Sequence, residues 1–240
     1  MSAFQDLHVP GKPLLLPNVW DVAGARMLAG AGFAAVGTTS LGVAASEGLP
    51  DGEGAAVDAT VRLVERLAPV GLLVTADIEG GSVEAAVAAA EAGAVGVNVE
   101  DGFGDPSVHA RLVGDIKRAV PELFVNARTD THWLRAGDVG EAVRRIRMYR
   151  DAGADGVFVP GVKAPHDIER VVAAVDVPVN VLALPGGPTA QQLGELGIAR
   201  ISLGSLLFRA ALEAVVSTAQ AVQRNLPLRE DLPSYQDVNG

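Results

Sequence analysis

Cysteine is absent from all 240 residues, which excludes a disulfide framework, a thiolate metal ligand and a cysteine nucleophile. Aromatic residues are scarce as well, with two Trp, two Tyr and six Phe. Ala, Val, Gly and Leu must therefore build the interior, a mix that suits tightly packed helices and buried parallel strands better than an antiparallel sandwich. Positive charge is in short supply: 19 Lys and Arg stand against 29 Asp and Glu, a formal net charge of −10. Nucleic acid is accordingly not an expected partner, and the acidity, spread along the chain, reads as ordinary solubility. No uninterrupted apolar run reaches membrane-spanning length, so no membrane partner is expected. The first residues, Met1-Ser2-Ala3-Phe4-Gln5-Asp6, lack a basic stretch followed by an apolar one, and the expected location is the cytoplasm. The four histidines are unclustered and do not support a zinc site. What remains is abundant apolar material, 49% of the chain, enough to bury a substantial core and to argue against disorder.

One phrase recurs. It reads Leu28-Ala29-Gly30-Ala31-Gly32, then Glu91-Ala92-Gly93-Ala94-Val95-Gly96, then Asp151-Ala152-Gly153-Ala154-Asp155-Gly156, and more loosely Glu195-Leu196-Gly197-Ile198. Each copy combines a helix end, a glycine able to take φ > 0 and a short apolar run, which is the chemistry of an α-to-β turn. On that basis strands fall near 13–17, 34–38, 71–76, 95–99, 123–127, 156–159, 178–181 and 199–202. Helices are expected at 21–31, 55–68, 83–92, 138–152 and 205–224. Eight alternations with no second hydrophobic block predict an α/β fold, a single (β/α)8 barrel covering residues 1–240, with 225–240 as an extended tail. The competing architecture is a doubly wound open sheet, but no Gly-x-Gly-x-x-Gly follows the first strand.

Barrel enzymes carry their chemistry at the carboxyl ends of the strands. Here those ends read Pro17-Asn18-Val19-Trp20-Asp21, Thr38-Thr39-Ser40, Thr75-Ala76-Asp77, Asn98-Val99-Glu100-Asp101 and Asn126-Ala127-Arg128-Thr129-Asp130. Strands six and eight end in Val159-Pro160-Gly161 and Leu203-Gly204, so the polar load lies over strands one to five. Residues i and i+2 share a strand face, which puts Asn98 with Glu100, and Asn126 with Arg128 and Asp130. Asp77, Glu100, Asp101 and Asp130 would then gather around one basic residue, Arg128. Buried carboxylates in excess need protons, water or a cation, and oxygen ligands without His or Cys favour a hard ion such as Mg²⁺, with Asp77 and Glu100 at strand ends on the expected inward face. Asp101 and Asp130 fit equally well as helix caps or ion-pair partners around the rim.

These segments resemble the isocitrate lyase / phosphoenolpyruvate mutase superfamily. The resemblance rests on Pro17 to Asp21, on Thr38 to Gly42 with Gly48-Leu49-Pro50-Asp51-Gly52, and on Thr75 to Gly81, Val97 to Gly102 and Asn126 to Asp130, in order along the chain. It implies a homo-oligomer, dimer or tetramer, whose subunits exchange C-terminal helices. It also implies Mg²⁺ holding a small anionic 2-oxo acid, with Asp77 as the main metal carboxylate and a substrate contact, and Glu100 as a second carboxylate acting through water. Ser40, Leu41 and Gly42 would bind the substrate's anionic group, Trp20 would wall the pocket, Asp51 would lie near the reacting centre, and Arg128 would clamp substrate oxygens. The implied activity is a Mg²⁺-dependent carbon–carbon lyase acting next to the carbonyl of a 2-oxo acid or related dicarboxylate through an enolate. Phosphonopyruvate-type P–C chemistry and a barrel that binds a 2-oxo acid without turnover are the alternatives.

The chain departs from the family's pattern in two places. Thr75 stands where the family often has a first Asp on strand three, and Gly102-Phe103-Gly104-Asp105-Pro106-Ser107 supplies neither the lysine nor the cysteine of the family's gating loop. Asn180, near strand seven, is a further candidate substrate contact or an inward residue bonded to backbone. His132 reads as a loop histidine rather than a replacement acid, and Gly186–Gly187 with Gly204–Ser205 as turns, with Ser205 capping the last helix.

Overall fold

In the computed structural model, which describes residues 2–239, the repeat glycines Gly32, Gly93, Gly153 and Gly197 all take left-handed backbone angles, φ between 87° and 105°. At Gly93 the Ala94 N–H reaches back to the Ala89 carbonyl and the Gly93 N–H to that of Ala90. This double closure satisfies the last carbonyls of the helix and turns the chain into the next strand. The strands so delivered are β1 (Leu14–Leu16), β2 (Asn18–Val19), β3 (Ala35–Thr38), β4 (Leu73–Asp77), β5 (Gly96–Glu100), β6 (Phe124–Arg128), β7 (Gly156–Phe158), β8 (Val179–Leu182) and β9 (Arg200–Ser202). Between and after them run α1 (Val22–Gly30), α2 (Ser40–Glu47), α3 (Val57–Leu67), α4 (Val83–Glu91), α5 (Pro106–Ala119), α6 (Val139–Asp151), α7 (Pro165–Val172), α8 (Ala190–Glu195), α9 (Leu206–Gln223) and α10 (Tyr235–Asn239).

All pairings of these strands are parallel, in the order β1-β9-β8-β7-β6-β5-β4-β3-β2. β1 and β2 are halves of one barrel strand divided at Pro17, so the two ends of that order meet and the sheet closes into a (β/α)8 barrel. Proline cannot donate to a ladder, and the chain exploits the break. Leu16 accepts from Leu203 N–H on the β9 side, while Pro17 accepts from Gly37 N–H on the β3 side. Asn18 fastens the seam: its amide donates to the Thr38 carbonyl at 2.8 Å and its oxygen accepts from Leu203 and Gly204 N–H.

Alternation along each strand sorts the side chains. Val157, Val159, Val179, Val181 and Ile201 point outward and pack with Ile146 of α6 and Ile168 and Val171 of α7; each such buried side chain stabilises the fold by about 1.5–3 kcal/mol. The inward positions are unexpectedly polar. Asn126 donates to Asn98 at 2.7 Å, Asn180 and Ser202 pair with each other, and the fully buried Arg200 reaches Asn98 at 3.2 Å. Arg200 leaves Nε and Nη1 without partners among the described residues, and burial lowers its pKa to about 9.

The C-terminal segment differs from the expected extended tail. It is irregular from 225 to 234 and then forms the short helix α10, which lies against α1. No helix of the described residues is long and apolar enough to cross a membrane.

Candidate active site

A cleft of about 370 Å³ opens at the carboxyl ends of the strands, with Ser40, Leu41, Asp51, Asp77, Glu100, Arg128 and Asp130 on its wall. Neighbouring strand ends bring the charged residues together. Glu100 and Arg128 are register partners on β5 and β6, and Arg128 Nη1 lies 2.5 Å from Glu100 Oε2. Arg128 Nη2 and Nε both lie 2.6 Å from Asp130 Oδ1. Of the five N–H groups on the guanidinium these contacts use three, so two remain. Asp77 ends β4, its backbone N–H donating to Thr38 Oγ1 at 2.8 Å.

The charges do not balance. Burial pushes the Glu100 carboxyl up to about 8, with Arg128 opposing and Asp77, Asp130 and Glu79 adding to the rise. Asp77 is also raised, chiefly by burial, against the pull of Arg128 and the backbone N–H groups of Glu79 and Ser40. Asp130 follows the same direction for the same first cause, again opposed by Arg128. A hard divalent cation beside Asp77 and Glu100 would supply the missing positive charge, and an all-oxygen donor set fits Mg²⁺. No group of three or more His, Cys, Asp or Glu converges to enclose a metal among the described residues.

Other expected residues are placed differently. Gly42 is buried, and a Cβ there would lie 2.7 Å from Thr39 Cγ2 and 3.0 Å from Trp20 Cβ. Trp20 meets Phe208 edge-on at 5.2 Å, and the residues lining the cleft include neither Trp20 nor Gly42. Asn180 is 1% exposed and exchanges hydrogen bonds with Ser202 below the cleft floor. Ser40 and Leu41 do line the cleft, although the Ser40 N–H is turned toward Asp77. Asp51 reaches the mouth from the exposed loop after α2. His132 sits half-buried with Nδ1 3.2 Å from Thr131 Oγ1. Ser205 precedes α9 without a side-chain cap bond and, with Gly204, faces the cleft.

Asp101 is resolved as a structural residue. Its side chain is fully buried and accepts from Arg145, Tyr149, and the N–H groups of Phe103 and Asp130. Two cleft-region groups have no counterpart in the sequence reading. Arg209 lines the mouth from the first turn of α9, where its distance from Gly204 could have signalled it. Glu79 is 2% exposed and takes φ 55°, a reversal that strand periodicity cannot anticipate.

Fold and cleft together define a barrel with an acid-rich mouth, in which Arg128 lies among the carboxylates and Arg209 stands at the rim. The chain belongs to the phosphoenolpyruvate phosphomutase family, whose model matches residues 4–223. It is 42% identical over 240 residues to an uncharacterised protein of Mycobacterium tuberculosis strain H37Rv, covering 96% of this chain and 93% of that one. It is 28% identical over 225 residues to 2-methylisocitrate lyase of Bacillus subtilis strain 168, covering 84% and 74%. Among solved structures, phosphonopyruvate hydrolase in complex with oxalate and Mg²⁺ superposes with a TM-score of 0.82 at 21% identity, covering 98% of this chain and 92% of that one. The family's members are enzymes, lyases and mutases among them.

Proposed function

We propose that the protein is a Mg²⁺-dependent lyase that cleaves, or forms, a carbon–carbon bond next to the carbonyl of a small 2-oxo acid or related dicarboxylate. The observation that carries this reading is the gathering of Asp77, Glu100 and Asp130 around Arg128 in one cleft, three carboxyl groups to one guanidinium. Asp77 and Glu100 would hold the ion, which when bound supplies Lewis-acid stabilisation of the negative charge developing on the oxo oxygen. Arg128 spends part of its fork fixing Glu100 and Asp130 and turns its remaining N–H groups to substrate oxygens. Ser40 and Leu41 bound the anion's side of the cleft. Asp51 moves a proton at the mouth, where water can reach it. A 2-methylisocitrate lyase among the relatives, and a fold neighbour holding oxalate with Mg²⁺, support the chemical class. Incubation with Mg²⁺ and, separately, oxaloacetate, isocitrate, 2-methylisocitrate and phosphonopyruvate tests it. Carbon–carbon cleavage of at least one of the first three is expected. Turnover of phosphonopyruvate alone would move the reaction to P–C chemistry, and tight binding without product would make the barrel a binder.

Arg128→Lys separates a clamp from a counter-ion. Lysine keeps the charge but not the planar two-pronged donor. The variant should fold and bind Mg²⁺, with turnover or 2-oxo acid affinity reduced at least tenfold, about 1.4 kcal/mol. Unchanged kinetics would leave Arg128 as a counter-ion to Glu100 and Asp130.

We further propose a homo-oligomer, dimer or tetramer, closed through α9. Past Phe208 that helix is largely exposed, and Leu212, Val215, Val216 and Val222 are 50–66% accessible. A continuous apolar face of this kind marks an interaction surface. Light scattering at micromolar concentration should return a multiple of the 24.6 kDa chain mass; a clean monomer would refute the assembly.

A further inference from the structure

Asn98 lines the cleft and is only 7% exposed, so it belongs to the floor. On β5 it lies one inward position below Glu100, and its register partner on β4 is Asp77. Its side-chain oxygen meets two groups from inside the barrel, Asn126 Nδ2 at 2.7 Å and Arg200 Nη2 at 3.2 Å. Arginine carries donors and no acceptor, so the atom it meets is the amide oxygen and not the nitrogen. Asn126 then has to donate to the same oxygen. Its own oxygen turns toward Gly156, its register partner on β7, where a Cβ would lie 3.1 Å away.

Without Arg200 the two amides could exchange roles, since Asn98 donating to Asn126 is an equally good bond. With it, the Asn98 nitrogen is left over. Asn98 Nδ2 makes no hydrogen bond among the described residues, yet it is not one of the enclosed atoms without a partner. It therefore opens on the cleft that Asn98 lines. Arg200 is fully buried, forms no ion pair among the described residues and makes only this one hydrogen bond. A guanidinium so poorly satisfied costs the fold stability; what it secures is the orientation of one amide at the cleft floor.

We propose that Asn98 presents its N–H2 group to an oxygen of the anionic substrate, beside Asp77, and that Arg200 and Asn126 are positioning residues that hold the amide in that sense. The ligand rests on the 2-oxo acid reading above; the orientation of the amide does not.

Asn98→Asp is the discriminating variant. Aspartate has the same shape, and one of its oxygens still accepts from Asn126 and Arg200. The other replaces the donor with a charged acceptor. The variant should fold and melt close to wild type. Its affinity for oxalate, a planar dianion with the oxygens of a 2-oxo carboxylate, should fall about tenfold or more at saturating Mg²⁺. In the wild type, the side-chain amide protons of Asn98, assigned by their absence in Asn98→Asp, should move downfield in the NMR spectrum when oxalate is added. Arg200→Met releases the constraint from the other side. It should melt no lower than wild type, yet bind oxalate about twofold or more weakly, because the competent orientation is populated only part of the time. Wild-type affinity in Asn98→Asp would overturn the donor. So would weakened binding with an unmoved amide signal, which is charge repulsion alone. An Arg200→Met variant with wild-type affinity would overturn the positioning role of Arg200. A wild-type protein that ignores oxalate and Mg²⁺ would sink the 2-oxo acid reading itself, and the ligand of Asn98 with it.

Discussion

Asp77→Ala is expected to lose Mg²⁺ binding outright and to cut turnover at least a thousandfold, about 4 kcal/mol of transition-state stabilisation. Asp77 is held in place from three directions, by Thr38 Oγ1 on its own N–H and by the N–H groups of Ser40 and Glu79 facing its carboxylate. A side chain so oriented yet raised in pKa by burial is not there to stabilise the empty fold. The sign follows from linkage. An acid whose folded pKa lies above its unfolded value of 3.8 favours the folded state only when protonated, so its contribution is lost as pH rises through the folded value. Where that carboxyl is ionised its burial costs stability, so the alanine variant should melt no lower than a few degrees below wild type. Glu100→Ala should weaken Mg²⁺ binding less. Because Glu100 is pushed up to about 8, Mg²⁺ must displace a proton below that pH, and affinity should fall as pH drops from 8 to 6. Calorimetric titration checks both, and wild-type affinity in Asp77→Ala would sink the metal assignment.

The barrel was legible because its determinants are local. An Ala-Gly-Ala phrase needs only neighbouring residues to stop a helix, and strand ends such as β5 and β6 fall within a residue of where periodicity puts them. The closing seam was not legible, since Pro17 and Asn18 work through Leu203 and Gly204, far away in sequence. The site divides in the same way. Strand alternation correctly put Glu100 beside Arg128 and on one cleft with Asp77. It could not show that Trp20 and Gly42 pack against Phe208, because that contact comes from α9. Nor could it find Glu79, whose side chain turns inward through a backbone angle that carries no compositional signal.

The same limit applied to Asp101, which the sequence left open between site and scaffold, and the expected effect of removing it is the largest on stability. Burial alone would raise its pKa, but the hydrogen bonds from Tyr149, the Asp130 N–H, Arg145 and the Phe103 N–H outweigh burial and lower it. This is the opposite direction from Asp77, Glu100 and Asp130, and it separates a carboxylate the fold satisfies from those it leaves short of positive charge. Asp101→Ala leaves the Tyr149 hydroxyl and the Phe103 and Asp130 N–H groups without their acceptor, and leaves Arg145, which is 5% exposed at its side chain, only Glu141 and the Gly104 carbonyl; removing one partner of a buried pair costs about 3–5 kcal/mol. Against a total stability of about 5–15 kcal/mol for a domain, that loss is severe. Asp101→Asn retains an oxygen for the Phe103 and Asp130 N–H groups and should cost less. A depressed folded pKa gives stability that is present above the unfolded value of 3.8 and disappears as pH falls through the folded one. The gap between wild type and Asp101→Asn should therefore be full at neutral pH and close in strong acid. Denaturant midpoints across that range provide the measurement. An Asp101→Ala protein that unfolds at the wild-type midpoint while losing Mg²⁺ would place Asp101 in the site, and the Arg145 pair would then have to be worth almost nothing despite its complete burial.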